Sequence, residues 1–230
     1  MTLFVLPKLT PYLKIGLFGL LAIGMLKPLF AFNLPAQAQQ YVTKTYGAPA
    51  NLRLLNWQKL IVSSSQHTEL EKLRLVTDFF NAIPYQTDQE IWQKDNFWAN
   101  PLELLGKNAG DCEDFAIAKY LTLKAMGVPT QKMRIVYVVS KQIKAPHMVL
   151  AYYETPKSQP LILDNMTLRI LYASERPDLR PVYMFSEQAI WVPQANAAPK
   201  EVMSGVQIYG WKQLILRMGN EGLTEDKLTP

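Results

Sequence analysis

The spacing of apolar residues changes about halfway along this chain. Between His67 and Ile83, Leu70, Leu73, Val76, Phe80 and Ile83 recur at helical intervals and mark one core-facing stripe. Thr68, with Glu71 three residues on, signals a capping box at the start, and Pro84 stops the helix. LRLLNWQKLIVSSS, residues 52–65, also reads as a helix. YQTDQEIWQKDNFWANPLELL, 85–105, reads as an aromatic-rich loop followed by a short helix from Pro101. A helix is predicted over 111–126, with Asp111 as N-cap, Asp114 three residues on, and an apolar stripe of Phe115, Ala118, Leu121 or Thr122, and Ala125. Gly127 and Pro129 end it. The pattern then becomes short, β-branched or aromatic runs: MRIVYVVS, HMVLAYY, PLILDN, RPVYMFS and AIWVP. ETPKSQ lies between the second and third of these as a hairpin loop, and GWKQLILRM closes the chain as a short helix. Helices first and mostly antiparallel strands afterwards predict an α+β domain.

The first forty residues follow another rule. Lys8 and Lys14 precede IGLFGLLAIGML, an apolar run from Ile15 to Leu26. That is shorter than the roughly 20 residues a spanning helix needs, and it fits the central region of a secretory signal. The small residues Ala36 to Ala38 supply a cleavage site, so the expected division is a signal over 1–38 and an exported domain over 39–230. The alternative is an uncleaved inner-membrane anchor extended through PLFAF. With 49% hydrophobic residues the chain is globular, not disordered. Its net charge of +5 is scattered, with no basic run interleaved with aromatics, which argues against nucleic acid as a partner.

The single cysteine excludes an internal disulfide and leaves two readings, a reactive free thiol or an inert buried one. Cys112, in KNAGDCEDFAIAKY, falls in the first turn of a predicted helix. Unpaired amides there favour a thiolate and can hold an oxyanion. A thiol nucleophile also needs a base. Of the two histidines, His67 has no polar partner nearby in sequence, whereas His147 opens a strand and Asp164 ends the next one, across a short hairpin. That order suits a Cys112–His147–Asp164 set in which Asp164 orients the imidazole.

Three carboxylates, Asp111, Glu113 and Asp114, crowd the thiol and oppose its ionisation. They can be plain helix-start acids, stabilising by about 0.3–1 kcal/mol each. They can also hold a hard cation such as Ca²⁺, with Asp111 and Glu113 as ligands on the side away from the sulfur. One cysteine and two separated histidines give no zinc cluster. Trp92 and Trp98 read as core residues or as walls of a cleft.

GDCEDFAIAKYLTLKAMGVP, MRIVYV, HMVLAYY, PLILDN and RPDLRPVYMF together resemble the bacterial transglutaminase-like cysteine proteinases of the LapG type. The resemblance runs over roughly 50 to 220 and takes in FFNAIPYQTDQEIWQKDNFWANPLELL and GWKQLILRMGNEGL. It implies a papain-like, transglutaminase-like core with catalytic residues Cys112, His147 and Asp164, and calcium held by Asp111 and Glu113. It further implies a periplasmic endopeptidase that cuts the N-terminal region of a large surface adhesin at a di-alanine site, releasing the adhesin and dispersing biofilm. Its implied partner is the periplasmic domain of an inner-membrane cyclic-di-GMP receptor. The same catalytic set would serve a transglutaminase or amidase, and a non-catalytic binding module is the reading from a different class.

Overall fold

The computed structural model describes residues 1, 32–194, 197–205 and 208–229; the apolar run Ile15–Leu26 lies outside them. Seven α-helices occur among the described residues: α1 (Ala36–Tyr46), α2 (Ala48–Ser63), α3 (Glu69–Asn81), α4 (Asp88–Trp92), α5 (Pro101–Lys107), α6 (Cys112–Ala125) and α7 (Tyr209–Asn220). The strands are β1 (Met133–Ser140), β2 (Ala145–Tyr152), β3 (Leu161–Leu163), β4 (Leu171–Tyr172), β5 (Leu179–Phe185), β6 (Ala189–Gln194) and β7 (Ala197–Ser204). They form one antiparallel sheet in the order β4-β3-β2-β1-β5-β6-β7. The expected α+β class, with the Cys112 helix packed on an antiparallel sheet, is the fold observed.

Helix α6 is the central element. Every residue from Glu113 to Ala125 is buried, so the expected apolar stripe is instead a helix covered on all sides. The sheet packs on one side, through β1 and β2, and α3 and α5 pack on the others. Two observations show how closely: Trp57 of α2 donates its indole N–H to Thr122 at 2.8 Å, and Lys119 is 1% exposed. Residues of β1 and β2 divide by alternation. Ile135, Met148 and Leu150 face this main core, whereas Val136, Val138, Val149 and Ala151 join Ile162 and Met184 in a smaller core on the other face of the sheet.

The capping box of Thr68 and Glu71 forms as predicted, with Glu71 N donating to Thr68 Oγ1 at 3.3 Å and Thr68 N to Glu71 Oε2 at 2.8 Å. Leu70 departs from the predicted stripe. It is 50% exposed, because the first turn of α3 projects beyond the elements that cover Leu73, Val76 and Phe80. Four elements are additional to those read from the sequence: α1, α4, β4 and β7. Ala36–Ala38, the expected cleavage segment, make the first turn of α1, and Ala38 is buried. No helix among the described residues is long and apolar enough to cross a membrane.

Candidate active site

Gly110 fixes the entry to α6. A Cβ there would lie 2.5 Å from Leu104 Cδ1 and 2.9 Å from Asp114 Oδ2, so a larger residue would push the helix start off its seat. Asp114 is fully buried and receives two amides, Ala99 N–H on Oδ1 at 2.7 Å and Asp111 N–H on Oδ2 at 3.3 Å. It therefore ties the start of α6 to the segment leading into α5. Asp111 occupies the N-cap position as expected and forms a capping box with Asp114, each side chain facing the other's backbone amide. The first internal bond runs from Phe115 N–H to the Asp111 carbonyl at 3.2 Å, and with Asp114 N–H facing the Asp111 side chain the Cys112 and Glu113 amides are left without intrahelical partners.

The sheet supplies the second part. β2 and β3 pair with Leu150 opposite Leu163. Continuing that register puts Asp164 opposite Val149 and makes His147 its diagonal neighbour, within reach of a side-chain contact. His147 Nε2 lies 2.8 Å from Asp164 Oδ1, with exposures of 2% and 0%. Nδ1 is then the ring nitrogen left for another partner. Met148, next along β2, directs a backbone hydrogen bond toward the Cys112 thiol, which brings the strand and the helix start together. His67, by contrast, is exposed.

Asp164 is saturated with partners. Met166 N–H donates to Oδ1 at 3.0 Å and Arg176 Nη2 to Oδ2 at 2.9 Å, while Asn81 Nδ2 donates to its backbone carbonyl at 2.8 Å. Burial alone would raise its pKa, but His147, the Met166 amide and Arg176 together bring it down to about 2. Asn81 and Arg176 lie in stretches that carry the resemblance, but the sequence assigned neither a role. Each is a lone polar residue whose role appears only when α3 and the segment after β4 meet the end of β3.

The acids around the thiol behave oppositely. Cys112 donates its S–H to Glu113 Oε2 at 3.1 Å. Burial first, then the Glu113 charge and hydrogen bond, then Asp111, push the thiol well above its ordinary range. The favourable field of the helix start is thus outweighed. A third carboxylate joins Asp111 and Glu113: Asp88, from α4, a segment the sequence reading took as loop. Ligand oxygens of Asp88, Asp111 and Glu113 all lie within 4.8 Å of one another. Burial, and then neighbouring carboxylates, raise Asp111 to about 8. Asp88 is raised to about 6, mainly by burial and against the Phe97 amide that it accepts. Oδ1 of Asp88 and Oδ1 of Asp111 are buried with no hydrogen-bond partner. Two orphaned carboxylate oxygens, a third carboxylate close by and strong mutual repulsion are a fit for a hard divalent cation.

A cleft of about 790 Å³, which includes Met148 but none of the candidate catalytic or carboxylate residues, is walled by Trp98, Tyr137, Tyr183, Tyr209 and Arg217 among others. Tyr137 and Tyr183 stack with centroids 5.1 Å apart. Gly210 lets α7 approach the Trp98 ring, where a Cβ would come within 2.8 Å. Trp98 is both core and wall, whereas Trp92 packs on Phe97, outside the cleft lining.

The fold and this centre define a transglutaminase-like cysteine proteinase architecture, and the comparisons agree. The model of the bacterial transglutaminase-like cysteine proteinases matches residues 54–189, and the chain belongs to that family. Among solved structures, EGTA-treated LapG of Legionella pneumophila is 37% identical, with 84% of this chain and 100% of that one covered and a TM-score of 0.71. The calcium-bound form of Legionella pneumophila LapG is 38% identical, covering 80% and 99%, with a TM-score of 0.69. No curated protein matches the chain.

Proposed function

We propose that this chain is an exported, calcium-dependent cysteine endopeptidase with the catalytic set Cys112, His147 and Asp164. The observation that carries the reading is the buried His147–Asp164 pair of β2 and β3, with His147 next in sequence to Met148, whose backbone acts on the Cys112 thiol. Cys112 Sγ attacks a substrate carbonyl carbon, and His147 Nδ1 takes the thiol proton. The free amides at the start of α6 receive the oxyanion. Nδ1 then passes the proton to the leaving amine, and the same nitrogen draws a proton from the water that releases the acyl group. Throughout, Asp164 Oδ1 accepts from Nε2–H, which fixes the tautomer and supports the imidazolium.

Asp111 and Glu113, joined by Asp88, are the residues that would hold Ca²⁺. Bound there, the ion supplies positive charge that offsets these carboxylates next to the sulfur. Glu113, engaged there, would no longer accept the hydrogen bond of the thiol. The existence of both calcium-bound and EGTA-treated structures of Legionella pneumophila LapG supports this assignment.

The substrate we propose is the N-terminal region of a large surface adhesin, cut at a di-alanine site in the periplasm, so that the adhesin is released and biofilm disperses. The periplasmic domain of an inner-membrane cyclic-di-GMP receptor is the proposed regulatory partner. Export through a signal ending at Ala38 belongs to the same reading; N-terminal sequencing of the secreted form reports whether the first turn of α1 is retained.

The test mixes the purified protein with the N-terminal segment of an adhesin from the same genome, in calcium and in EGTA, with Cys112→Ala alongside. Fragment formation by the wild type alone, lost in EGTA and restored by calcium, is the expected result. Cleavage retained by Cys112→Ala removes the thiol mechanism, and cleavage indifferent to EGTA removes the cation. An amine-linked adduct in place of fragments would make the chain a transferase.

A further inference from the structure

Asp164 is held from its second oxygen by a group that the catalytic set does not include. Arg176, just beyond β4, is 8% exposed and donates Nη2–H to Asp164 Oδ2 at 2.9 Å. The same guanidinium is clamped by Asp178, with Nε at 3.0 Å from Oδ1 and Nη2 at 2.9 Å from Oδ2. This two-pronged contact uses the planar donor geometry that only arginine offers, and it sets the angle at which Nη2 meets Asp164. Nη1 is buried without a hydrogen-bond partner. Arg176 also lines a small cavity of about 90 Å³ with Val136, Ala151, Ile162 and Met184, the apolar residues on the face of the sheet away from α6. The guanidinium is therefore oriented by two carboxylates alone, against an apolar wall.

Three basic side chains act on Asp164: His147 from β2, Arg176, and Lys119 from α6. Lys119 is a poor permanent counter-ion, because burial lowers it to about 7 despite the pull of Asp164. Arginine keeps its charge throughout the working range. Asp178 opposes Asp164 weakly, but it is tied up by the same arginine.

We propose that Arg176, clamped by Asp178, is a positioning residue that pins Oδ2 of Asp164 so that Oδ1 is presented to His147 Nε2. This rests on the catalytic reading above. It predicts that loss of the guanidinium disturbs the His147–Asp164 contact before it disturbs the fold. Arg176 touches neither thiol nor substrate and acts only through Asp164.

The test needs no peptide substrate. Protein labelled with ¹⁵N-histidine carries only two labelled residues, His67 and His147, so the Nε2–H proton of His147 in its bond to Asp164 is read directly by NMR. The same calcium-loaded samples are treated with iodoacetamide at pH 7.5, where the single cysteine makes alkylation a report on Cys112 alone. Arg176→Met is expected to shift or broaden the His147 Nε2–H signal and to slow alkylation about tenfold or more. Arg176→Lys should retain the signal and most of the rate. A folded Arg176→Met protein with the wild-type signal and rate overturns the proposal. If Arg176→Met does not fold, Asp178→Asn decides, since it removes the clamp but leaves the guanidinium: a shifted signal with a several-fold slower rate supports the proposal, and an unchanged signal overturns it. Wild-type alkylation no faster than that of an ordinary thiol would count against the protease reading, while the His147 signal still judges Arg176.

Discussion

Asp164 and Asp111 are both carboxylates set into the centre of the molecule, and their fates differ. Asp164 has a donor on each oxygen and is brought down to about 2. Asp111 has an oxygen with no partner, other carboxylates beside it, and is pushed up to about 8. Burial penalises both, so the difference lies in what each faces. The imidazole and guanidinium complete the sheet side of the site within the chain itself. The helix side holds Asp88, Asp111 and Glu113 with no cation of the protein among the groups found to act on Asp111 or Asp88. One side is completed by folding; the other keeps carboxylate oxygens without partners, and the thiol donates to Glu113 on that side.

Asp164→Asn should have the largest effect. It preserves shape but removes the charge that would support the imidazolium and turns one of the two acceptor oxygens into a donor amide. Turnover of a cleaved substrate should fall by about three orders of magnitude or more, with calcium binding, followed by calorimetry, unchanged. Equal turnover in the variant would mean that the saturated side is only structural.

The unsaturated side should reveal itself in stability against pH. Asp111 and Asp88 have folded pKa values of about 8 and about 6, above the ordinary carboxylate value of 3.8, and Asp114 is also raised, first by burial. A raised acid binds its proton more tightly folded than unfolded. Its contribution is therefore complete below pH 4 and is lost as pH rises through 6 and then 8. In EGTA, stability should decline between pH 5 and 8 by an amount on the order of a few kcal/mol. Calcium should flatten or reverse that decline, and Asp111→Asn should flatten it without calcium while losing the calcium-induced rise in melting temperature. Thermal melts across that range decide; parallel curves with and without calcium would remove the cation from the site.

The smallest effect lies away from both. Thr68→Ala removes the α3 capping contact and should cost about 1 kcal/mol in a denaturant melt, with thiol reactivity unchanged. A change in reactivity would show that α3, which carries Asn81 to the Asp164 carbonyl, transmits strain to the saturated side.

Much of this was legible before folding. Cys112, Asp111 and Glu113 are contiguous, and the strands carrying His147 and Asp164 are joined by a recognisable hairpin, so local pattern places them. Asp88 was not legible, because α4 is a five-residue helix in an aromatic-rich stretch without apolar periodicity. Its capping pair, Thr87 with Glu90, was the signal that could have found it. Arg176 and Asn81 lie within stretches that carry the family resemblance, but no local pattern gave either a role. The stripe on α6 understated its burial, because periodicity shows one covered face and cannot show that a second layer covers the other.

By itself, the sequence determined the α+β order, the boundaries of the Cys112 helix and the capping of α3, and it singled out Cys112, His147 and Asp164 as candidates. These follow from propensities and spacings that act within a few residues or across one hairpin. The tertiary structure decided which acids lack partners, which cation meets Asp164, and that Glu113 accepts the hydrogen bond of the thiol. Those outcomes depend on burial and on distances between residues far apart in the chain, and only packing α6 between the helices and the sheet sets them.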